Sequence, residues 1–299
     1  MILAEHITRT LRGTWRGQNG LACCPAHEDR TPSLSLGVGV DGRLLVHCHA
    51  GCSYGAVMDA LKARGLVDHT TRATLGGMLA SRVEIAANHK AKQAEAEKRA
   101  HQARALWDSA RPITNTLGER YLRNRGITCD LPLTLRYVED CWHKSAQRWP
   151  AIVSRVDGVE RFAVHRTYLG HDGTTKAEID SPKAMLGSVR GGAVRLTPAS
   201  HTSNLVIAEG IETALSLPSG LMNRPAEVWA ALSVGGLANV TLPACAGDLI
   251  IAPDGDAPGR DAAQTLARRA HALGWQVMML PAPDGFDWND VLTGKAVAA

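Results

Sequence analysis

The sequence predicts a multidomain α/β protein. Three observations support this prediction: four of the seven cysteines fall within residues 23–52 beside histidines, residues 84–107 contain no Gly or Pro, and short apolar runs alternate with helical segments from residue 203. A chain of 299 residues can bury two or three separate cores. No stretch approaches 18 consecutive apolar residues, so we expect no membrane-spanning helix.

Charge is unevenly distributed along the chain. Residues 203–299 hold five Lys and Arg against ten Asp and Glu, whereas the remainder holds 28 basic and 19 acidic residues. This balance suits a basic body that contacts a polyanion and an acidic region whose carboxylates hold metal ions, although such asymmetry is also common without function. The N-terminus lacks the features of a secretion signal. Clustered cysteines then favour metal binding in a reducing compartment, and the cytoplasm is the expected location.

Residues 1–69 are predicted to form a small module with one hairpin between two helices. Gly65 is expected to end the second helix, because glycine readily adopts the left-handed conformation found there. A turn at Asp41-Gly42 should join the two strands. The predicted elements are an opening helix, strands at Ser33–Leu36 and Arg43–His47, and a closing helix at Tyr54–Arg64.

Residues 70–106 should be a long, mostly solvated helix that acts as a spacer, because Ala, Lys, Glu, Gln and Arg dominate there. A helix lying along nucleic acid is the alternative. Residues 107–202 are predicted to be a mixed α+β middle domain, with Asp157-Gly158 as a hairpin turn. Its predicted elements are a helix at Leu117–Arg125 closed by Gly126, and strands at Thr134–Val138, Ala151–Val156, Arg161–Leu169 and Ala193–Leu196.

Residues 203–299 alternate strands and helices, which predicts a parallel sheet covered on both faces. The predicted strands are Leu205–Ala208, Val228–Leu232, Leu249–Ala252 and Gln276–Leu280, and the helices are Ile211–Leu217 and Gly259–Leu273. The second helix carries an apolar stripe of Ala262, Ala263, Leu266, Ala267, Ala270 and Leu273.

Two short motifs in the N-terminal module offer metal ligands. Cys24-Pro-Ala-His27 and Cys48-His-Ala-Gly-Cys52 each form a knuckle, and a hairpin's length of chain separates them. Four such ligands make a closed tetrahedral zinc site, which can hold together a module with a small core. Cys23 could replace Cys24, and His47 and His49 are spare candidates. Without metal, the thiols would be buried structural side chains.

Carboxylates follow three of the predicted C-terminal strands. In an open parallel sheet, ligands bind in the crevice at the carboxyl ends of the strands. Hard oxygen donors gathered there would hold Mg²⁺ or Mn²⁺ and leave positions for phosphate oxygens, as phosphoryl transfer requires. Taken alone, the Asp-Gly-Asp motif would be a polar turn. The predicted ligands are Glu209, Asp254 and Asp256, with a further acidic pair at Asp287 and Asp290.

These motifs carry a resemblance. Glu209-Gly210 after a strand, Asp254-x-Asp256 after another and the later acidic pair resemble the Toprim domain of primases, topoisomerases and some nucleases. The N-terminal Cys/His knuckles are similar to the zinc module of phage- and plasmid-type DnaG-like primases. Segments Tyr121–Ile127 and Pro182–Gly187 also resemble parts of that family.

The resemblance implies a small zinc-ribbon module, a middle domain and a Toprim-type catalytic domain that make short RNA primers on single-stranded DNA from nucleoside triphosphates. It implies structural zinc and catalytic Mg²⁺ or Mn²⁺, and we expect Arg166, Lys183 and Arg190 to bind template or triphosphate. The family often carries a helicase, but Thr293-Gly-Lys-Ala is no phosphate-binding loop, so a separate helicase is the expected partner. A Toprim nuclease and a non-catalytic nucleic-acid-binding protein are the alternatives.

Overall fold

The computed structural model describes residues 2–39, 43–67, 75–197 and 204–297, and it has the mixed α/β character that the sequence predicts. The chain divides into two compact units, residues 1–94 and 95–299. Among the described helices, none combines the length and apolar character needed to cross a membrane.

The N-terminal unit is built on a four-stranded antiparallel sheet, whose strands pair in the order in which they occur along the chain. Its core joins apolar side chains of both helices and the sheet, including Ile7, Leu34 and Leu61. The sequence predicted both helices and the last two strands, but it missed the first two strands, which are only three and four residues long. The predicted turn at Asp41-Gly42 lies outside the described residues. The elements are α1 (Leu3–Thr10), β1 (Thr14–Arg16), β2 (Asn19–Ala22), β3 (Leu34–Val38), β4 (Leu44–Cys48) and α2 (Tyr54–Ala63).

The predicted spacer is a helix, α3 (Leu75–Ser109), which ends three residues later than expected. Nearly all its side chains from residue 87 to 99 are exposed, as the composition predicts. Its last turns differ: Ala103 and Trp107 are buried against Val153 and Val164 of the neighbouring sheet. The end of this helix is therefore part of a packed core.

The middle segment is built on a five-stranded antiparallel sheet with strand order β5-β6-β7-β8-β9. Strands β7 (Arg148–Val156) and β8 (Ala163–Tyr168) pair antiparallel as predicted. Their connection spans residues 157–162 and is longer than the predicted turn at Asp157-Gly158, because Asp157 forms a bridge with Ala193. Strand β9 was not predicted, because Pro182 and the polar residues before it had suggested a loop. The elements are β5 (Arg111–Pro112), α4 (Leu117–Asn124), β6 (Leu135–Trp142), β7 (Arg148–Val156), β8 (Ala163–Tyr168) and β9 (Lys183–Leu186).

The C-terminal sheet has strand order β10-β12-β11-β13-β14. Strands β11 to β14 are parallel, as predicted, and β10 lies antiparallel at the edge. Strand β10 is the run that the sequence assigned to the middle domain; it pairs instead with β12. The elements are β10 (Val194–Arg195), β11 (Asn204–Ala208), α5 (Ile211–Ser216), β12 (Glu227–Ala230), α6 (Val234–Asn239), β13 (Asp248–Ala252), α7 (Ala257–Ala272), β14 (Gln276–Met279) and α8 (Trp288–Leu292).

The two faces of this sheet bury different partners. Alternate side chains of β11 point to opposite faces, so Leu205 and Ile207 pack with α7 while Val206 packs with the middle segment. The predicted stripe on α7 is buried except at Ala267, which is half-buried, and at Leu273, which is 60% exposed because the helix ends just before it. One core thus joins the middle and C-terminal segments, and the division at residue 202 into separate domains stays a prediction.

Candidate active site and metal centre

The four predicted soft ligands of the N-terminal unit converge. The ligand atoms of Cys24, His27, Cys48 and Cys52 all lie within 4.8 Å of one another. Strands β2, β3 and β4 pair in register and bring the two knuckles to one end of the sheet. Sulfur atoms bound to one tetrahedral zinc lie about 3.8 Å apart. This arrangement fits a single metal ion, and Cys23 is outside the cluster.

A carboxylate supports the cluster from behind. Asp29 accepts hydrogen bonds from the backbone N–H of Cys24 at 2.7 Å and from the Ser33 hydroxyl at 2.5 Å. Its Oδ2 also lies 3.8 Å from Nε2 of His27. A carboxylate placed behind a ligating histidine fixes the ring orientation in many zinc sites. The sequence analysis missed Asp29, although its position two residues after His27 is a signal that could have been read.

The cysteines differ in acidity. Burial raises the pKa of Cys24 to about 11. Burial also acts against the thiolate of Cys48, but hydrogen bonds from the backbone of Cys52 and Ala50 outweigh it and lower the pKa of Cys48 to about 6. The thiolate is the form that binds metal. The fold thus already stabilises one ligand in the form that zinc requires.

The predicted hard ligands lie at the carboxyl edge of the C-terminal sheet. In the parallel register Ala208 of β11 pairs with Ala252 of β13, so Glu209 and Asp254 leave neighbouring strands at nearly the same level. The loop after β12 lies beside them, and the backbone N–H of Val234 donates to the Glu209 carboxylate.

Backbone hydrogen bonds join the loop after β13 to the loop after β14. The backbone N–H of Gly255 donates to the carbonyl of Phe286 at 2.8 Å, and the N–H of Gly285 donates to the carbonyl of Gly255 at 2.9 Å. A Cβ atom at position 255 would lie 1.8 Å from the carbonyl oxygen of Pro283, so only glycine fits. This close approach brings the Asp287 loop next to the loop of Asp254 and Asp256.

Mutual repulsion marks this cluster. Burial and then the charges of Asp254 and Asp256 raise the pKa of Glu209 to about 7. Burial and then the charge of Asp287 raise the pKa of Asp254 to about 6. A divalent cation would relieve both effects, and carboxylate oxygens are the donors that Mg²⁺ and Mn²⁺ prefer. The residues present therefore fit a divalent metal.

Three of the acidic residues also cap helices. Asp256 accepts from the backbone N–H of Gly259 at 2.7 Å and caps α7. Asp287 and Asp290 form a reciprocal capping box at the start of α8. Asp290 also lies 3.4 Å from the ammonium of Lys295. The electrostatic link to Asp254 is through Asp287, so Asp290 is the more remote of the pair.

The three predicted basic residues lie in different settings. Lys183, at the start of β9, is close enough to lower the pKa of both Glu209 and Asp254. Arg166 is 9% exposed and donates to the backbone carbonyls of Trp142 and Met185. Arg190 is exposed in the loop before β10. The structure thus brings Lys183 to the acidic cluster, and the binding roles of Arg166 and Arg190 stay predictions.

A buried glutamate beside the cluster was missed. Glu212, on α5, is 6% exposed and lies 3.0 Å from the ammonium of Lys176 and 3.7 Å from that of Lys183. The Tyr121 hydroxyl donates to it at 2.9 Å. Its position three residues after Glu209 was visible, but its partners come from distant parts of the chain. Only the tertiary structure shows this group.

Two protein families match this chain, each over a different segment. Residues 97–196 match a family described as a domain of unknown function (DUF7146). Residues 204–297 match the Toprim domain family. No curated protein matches the chain.

Solved primase structures are among those to which the chain is similar. The zinc-binding and RNA polymerase domains of the Aquifex aeolicus primase are 13% identical, with a TM-score of 0.39 over 98% of this chain and 80% of the other. The RNA polymerase domain of Mycobacterium tuberculosis primase DnaG is 15% identical, with a TM-score of 0.38 over 68% and 81%. A DNA primase domain from Pseudomonas aeruginosa is 16% identical, with a TM-score of 0.29 over 60% and 56%.

The family match and the geometry agree for the C-terminal part of the chain. The matched residues contain the whole parallel part of the sheet and every acidic residue of the cluster. Glu209, Asp254 and Asp256 stand where the carboxyl ends of its strands meet. Residues 204–297 therefore belong to the Toprim family.

Proposed function

We propose that this protein is a DNA primase, which synthesises short RNA primers on single-stranded DNA from nucleoside triphosphates. One observation carries the proposal: the acidic cluster of a Toprim domain lies within electrostatic reach of Lys183, a basic residue of the middle segment. Carboxylates that hold a divalent ion beside a cationic side chain are suited to a triphosphate and to the charge that develops as it reacts.

Each group has a role in this reaction. Glu209, Asp254 and Asp256 would hold Mg²⁺ or Mn²⁺, with Asp287 and Asp290 in supporting positions. A divalent ion bound by these carboxylates would supply positive charge to neutralise the phosphoryl group and a fixed point to orient the 3′-hydroxyl. The chain itself contributes the fixed carboxylates and an ammonium group at the edge of the cluster. No side chain has to act as a covalent nucleophile.

The N-terminal unit would bind the template and one structural zinc ion. An open cavity of about 450 Å³ lies beside the Cys/His cluster, and Arg12, Arg30 and Arg64 are among the residues that line it. Guanidinium groups are suited to phosphate oxygens. The excess of basic over acidic residues before residue 203 supports the same role. A separate helicase would unwind the duplex, and the proposed location is the cytoplasm.

A priming assay tests the proposal. Purified protein is incubated with single-stranded DNA, labelled ribonucleotides and Mg²⁺ or Mn²⁺, and the products are resolved by length. We expect new short RNA from the wild type and about a hundredfold less from Asp256→Asn. Asp261→Asn is the matched control, because Asp261 is an exposed aspartate within α7, the helix that Asp256 caps.

The other outcomes would each replace the proposal. Shortening of the DNA in place of RNA synthesis would identify a Toprim nuclease. Binding of DNA without any change in either strand would identify a non-catalytic nucleic-acid-binding protein.

A further inference from the structure

The carboxylate of Glu212 lies where the middle segment meets the Toprim domain. Its side chain is 7% exposed, whereas those of Lys176 and Lys183 are 30% and 42% exposed. Burial would raise the pKa of Glu212, but the charges of Lys183 and Lys176 outweigh it and hold the pKa well below its usual value. The glutamate is therefore ionised, and its carboxylate holds both ammonium groups by ion pairing.

Glu212 by itself does not balance the charges of the two ammonium groups that it contacts. His165, buried on β8 in the same surroundings, adds no positive charge at neutral pH, because burial and then the charge of Lys183 lower its pKa to about 4. The Tyr121 hydroxyl donates to Glu212 and is neutral, since burial and the charge of Glu212 raise its pKa far above the usual value. The excess charge is thus carried by lysines that are partly open to solvent.

Lys183 lies close to two sets of carboxylates. Its ammonium is 3.7 Å from Glu212, and its charge also lowers the pKa values of Glu209 and Asp254. If Glu212 lost its charge, Glu209 and Asp254 would remain as carboxylate counter-ions for Lys183. An ammonium group paired with them would compete with a divalent cation for the same oxygens.

We propose that Glu212 is a positioning residue, which holds Lys183 and Lys176 at the edge of the acidic cluster so that they bind the phosphate oxygens of the incoming nucleoside triphosphate and leave the cluster free for metal. The triphosphate part of this inference rests on the proposed primase function. The metal part does not, because competition between Lys183 and a cation requires neither DNA nor nucleotide.

The decisive variant is Glu212→Gln. It keeps the shape of the side chain and an oxygen that accepts from Tyr121, but it removes the charge. Mn²⁺ affinity is measured by calorimetry on the full chain without nucleotide, and ATP affinity is measured in the same way with Mg²⁺ present. We expect both affinities to fall about tenfold, which is within the range for directly interacting residues. Glu119→Gln is the matched control, since Glu119 forms a peripheral ion pair with Arg123, and it should leave both affinities unchanged.

A second variant separates positioning from a structural role. If Lys183 is the competitor, Glu212→Gln combined with Lys183→Ala should regain the Mn²⁺ affinity of Lys183→Ala alone while ATP binding stays weak. A purely structural loss would lower the melting temperature and would not be reversed by removing a second side chain. Unchanged Mn²⁺ affinity in folded Glu212→Gln, or no recovery in the double variant, would overturn the proposal.

A more conservative variant and a separate activity measurement complete the test. If Glu212→Gln does not fold, Glu212→Asp retains the charge but withdraws the carboxylate by one methylene, and a smaller loss of both affinities is expected; no loss would refute positioning. Primer synthesis is measured separately. The predicted Mn²⁺ pattern in a protein that makes no RNA would support positioning and reject the primase, whereas RNA synthesis with unaltered metal binding in Glu212→Gln would do the reverse.

Discussion

The two clusters that could hold metal differ in how closed they are. In the N-terminal unit four ligand atoms lie within 4.8 Å of one another, and Cys24 and Cys48 are 3% and 4% exposed. In the Toprim domain Glu209 and Asp254 are half-buried, and Asp256 is exposed. A site whose ligands already surround a small volume can complete a tetrahedron without help, whereas an open one leaves positions for water and phosphate. Under the proposed function, the first cluster would hold a structural ion and the second a reactive one.

The surroundings of the two clusters reinforce this contrast. Asp29 accepts three hydrogen bonds and lies beside His27, so the ligands of the closed cluster are fixed by their neighbours. In the open cluster the carboxylates raise one another's pKa. Their repulsion destabilises the ionised folded protein, and a bound cation would relieve it. Charge repulsion retained in a fold is typical of a functional site.

The largest expected effect concerns the closed cluster. Cys48→Ser should abolish stoichiometric zinc and unfold the N-terminal unit, because its small core depends on the metal. Metal analysis and circular dichroism provide the measurement. Cys23→Ser is the matched control and should keep one zinc per chain, since Cys23 is outside the cluster. Full zinc content in Cys48→Ser would show that the ligand assignment is wrong.

The next effect concerns the open cluster. Asp256→Asn should leave folding, zinc content and template binding intact but reduce primer synthesis by two or more orders of magnitude. The amide oxygen of asparagine can still accept from Gly259, so the cap of α7 is retained and only the charge is lost. Asp256→Ala would lose both, and it should melt at a lower temperature than Asp256→Asn. Priming at the wild-type rate across a Mg²⁺ titration would place the active site elsewhere.

A smaller expected effect is the pH dependence that the open cluster gives to the stability of the fold. Because the folded pKa values of Glu209 and Asp254 are raised to about 7 and about 6, the metal-free folded state retains protons that the unfolded state has lost. The protonated forms of Glu209 and Asp254 therefore favour the folded state, and this stabilisation is lost as pH rises from about 4 to about 7. Mg²⁺ should restore a few degrees of melting temperature at neutral pH, where both carboxylates must be charged to bind it.

The test is a difference between two proteins. His165, with a pKa lowered to about 4, changes stability in the opposite direction over the same window, so the wild-type curve alone mixes the two effects. Glu209→Gln removes a carboxylate whose pKa is raised, and it should melt at a higher temperature than the wild type at neutral pH in buffer without added Mg²⁺ or Mn²⁺. Equal melting temperatures would contradict the raised pKa of Glu209.

The sequence predicted the sites whose contacts are local in the chain better than those whose contacts join distant segments. The Cys/His cluster was predicted by spacing alone, because each knuckle is local and one hairpin joins them. The acidic cluster needed one more step, the rule that ligands bind at the carboxyl ends of parallel strands. Glu212 with Lys176 and Lys183 could not be predicted, since their pairing depends on how a helix of one segment packs on the sheet of another. Strand β10 was misassigned for the same reason: two residues do not indicate which sheet will accept them.

The smallest predicted effect separates the two outer carboxylates of the open cluster. Asp287 raises the pKa of Asp254, whereas Asp290 is paired with Lys295 and shares a capping box with Asp287. Asp287→Asn should reduce primer synthesis about tenfold, at the lower end of losses at outer positions of a metal site. Asp290→Asn should change it by about twofold or less, because its ion pair with Lys295 is partly open to solvent and such pairs contribute little.

Both substitutions keep an oxygen that can accept the capping hydrogen bonds, so α8 and the contacts of Asn289 with Arg125 and Ser216 should survive in each. The two variants therefore differ mainly in how far the lost charge lies from Asp254. If an excess of Mg²⁺ restores Asp287→Asn more than Asp290→Asn, the open cluster extends to the third loop. Equal losses in the two variants would mean that this acidic pair acts on the stability of α8 and not on the metal, and the open cluster would then be confined to Glu209, Asp254 and Asp256.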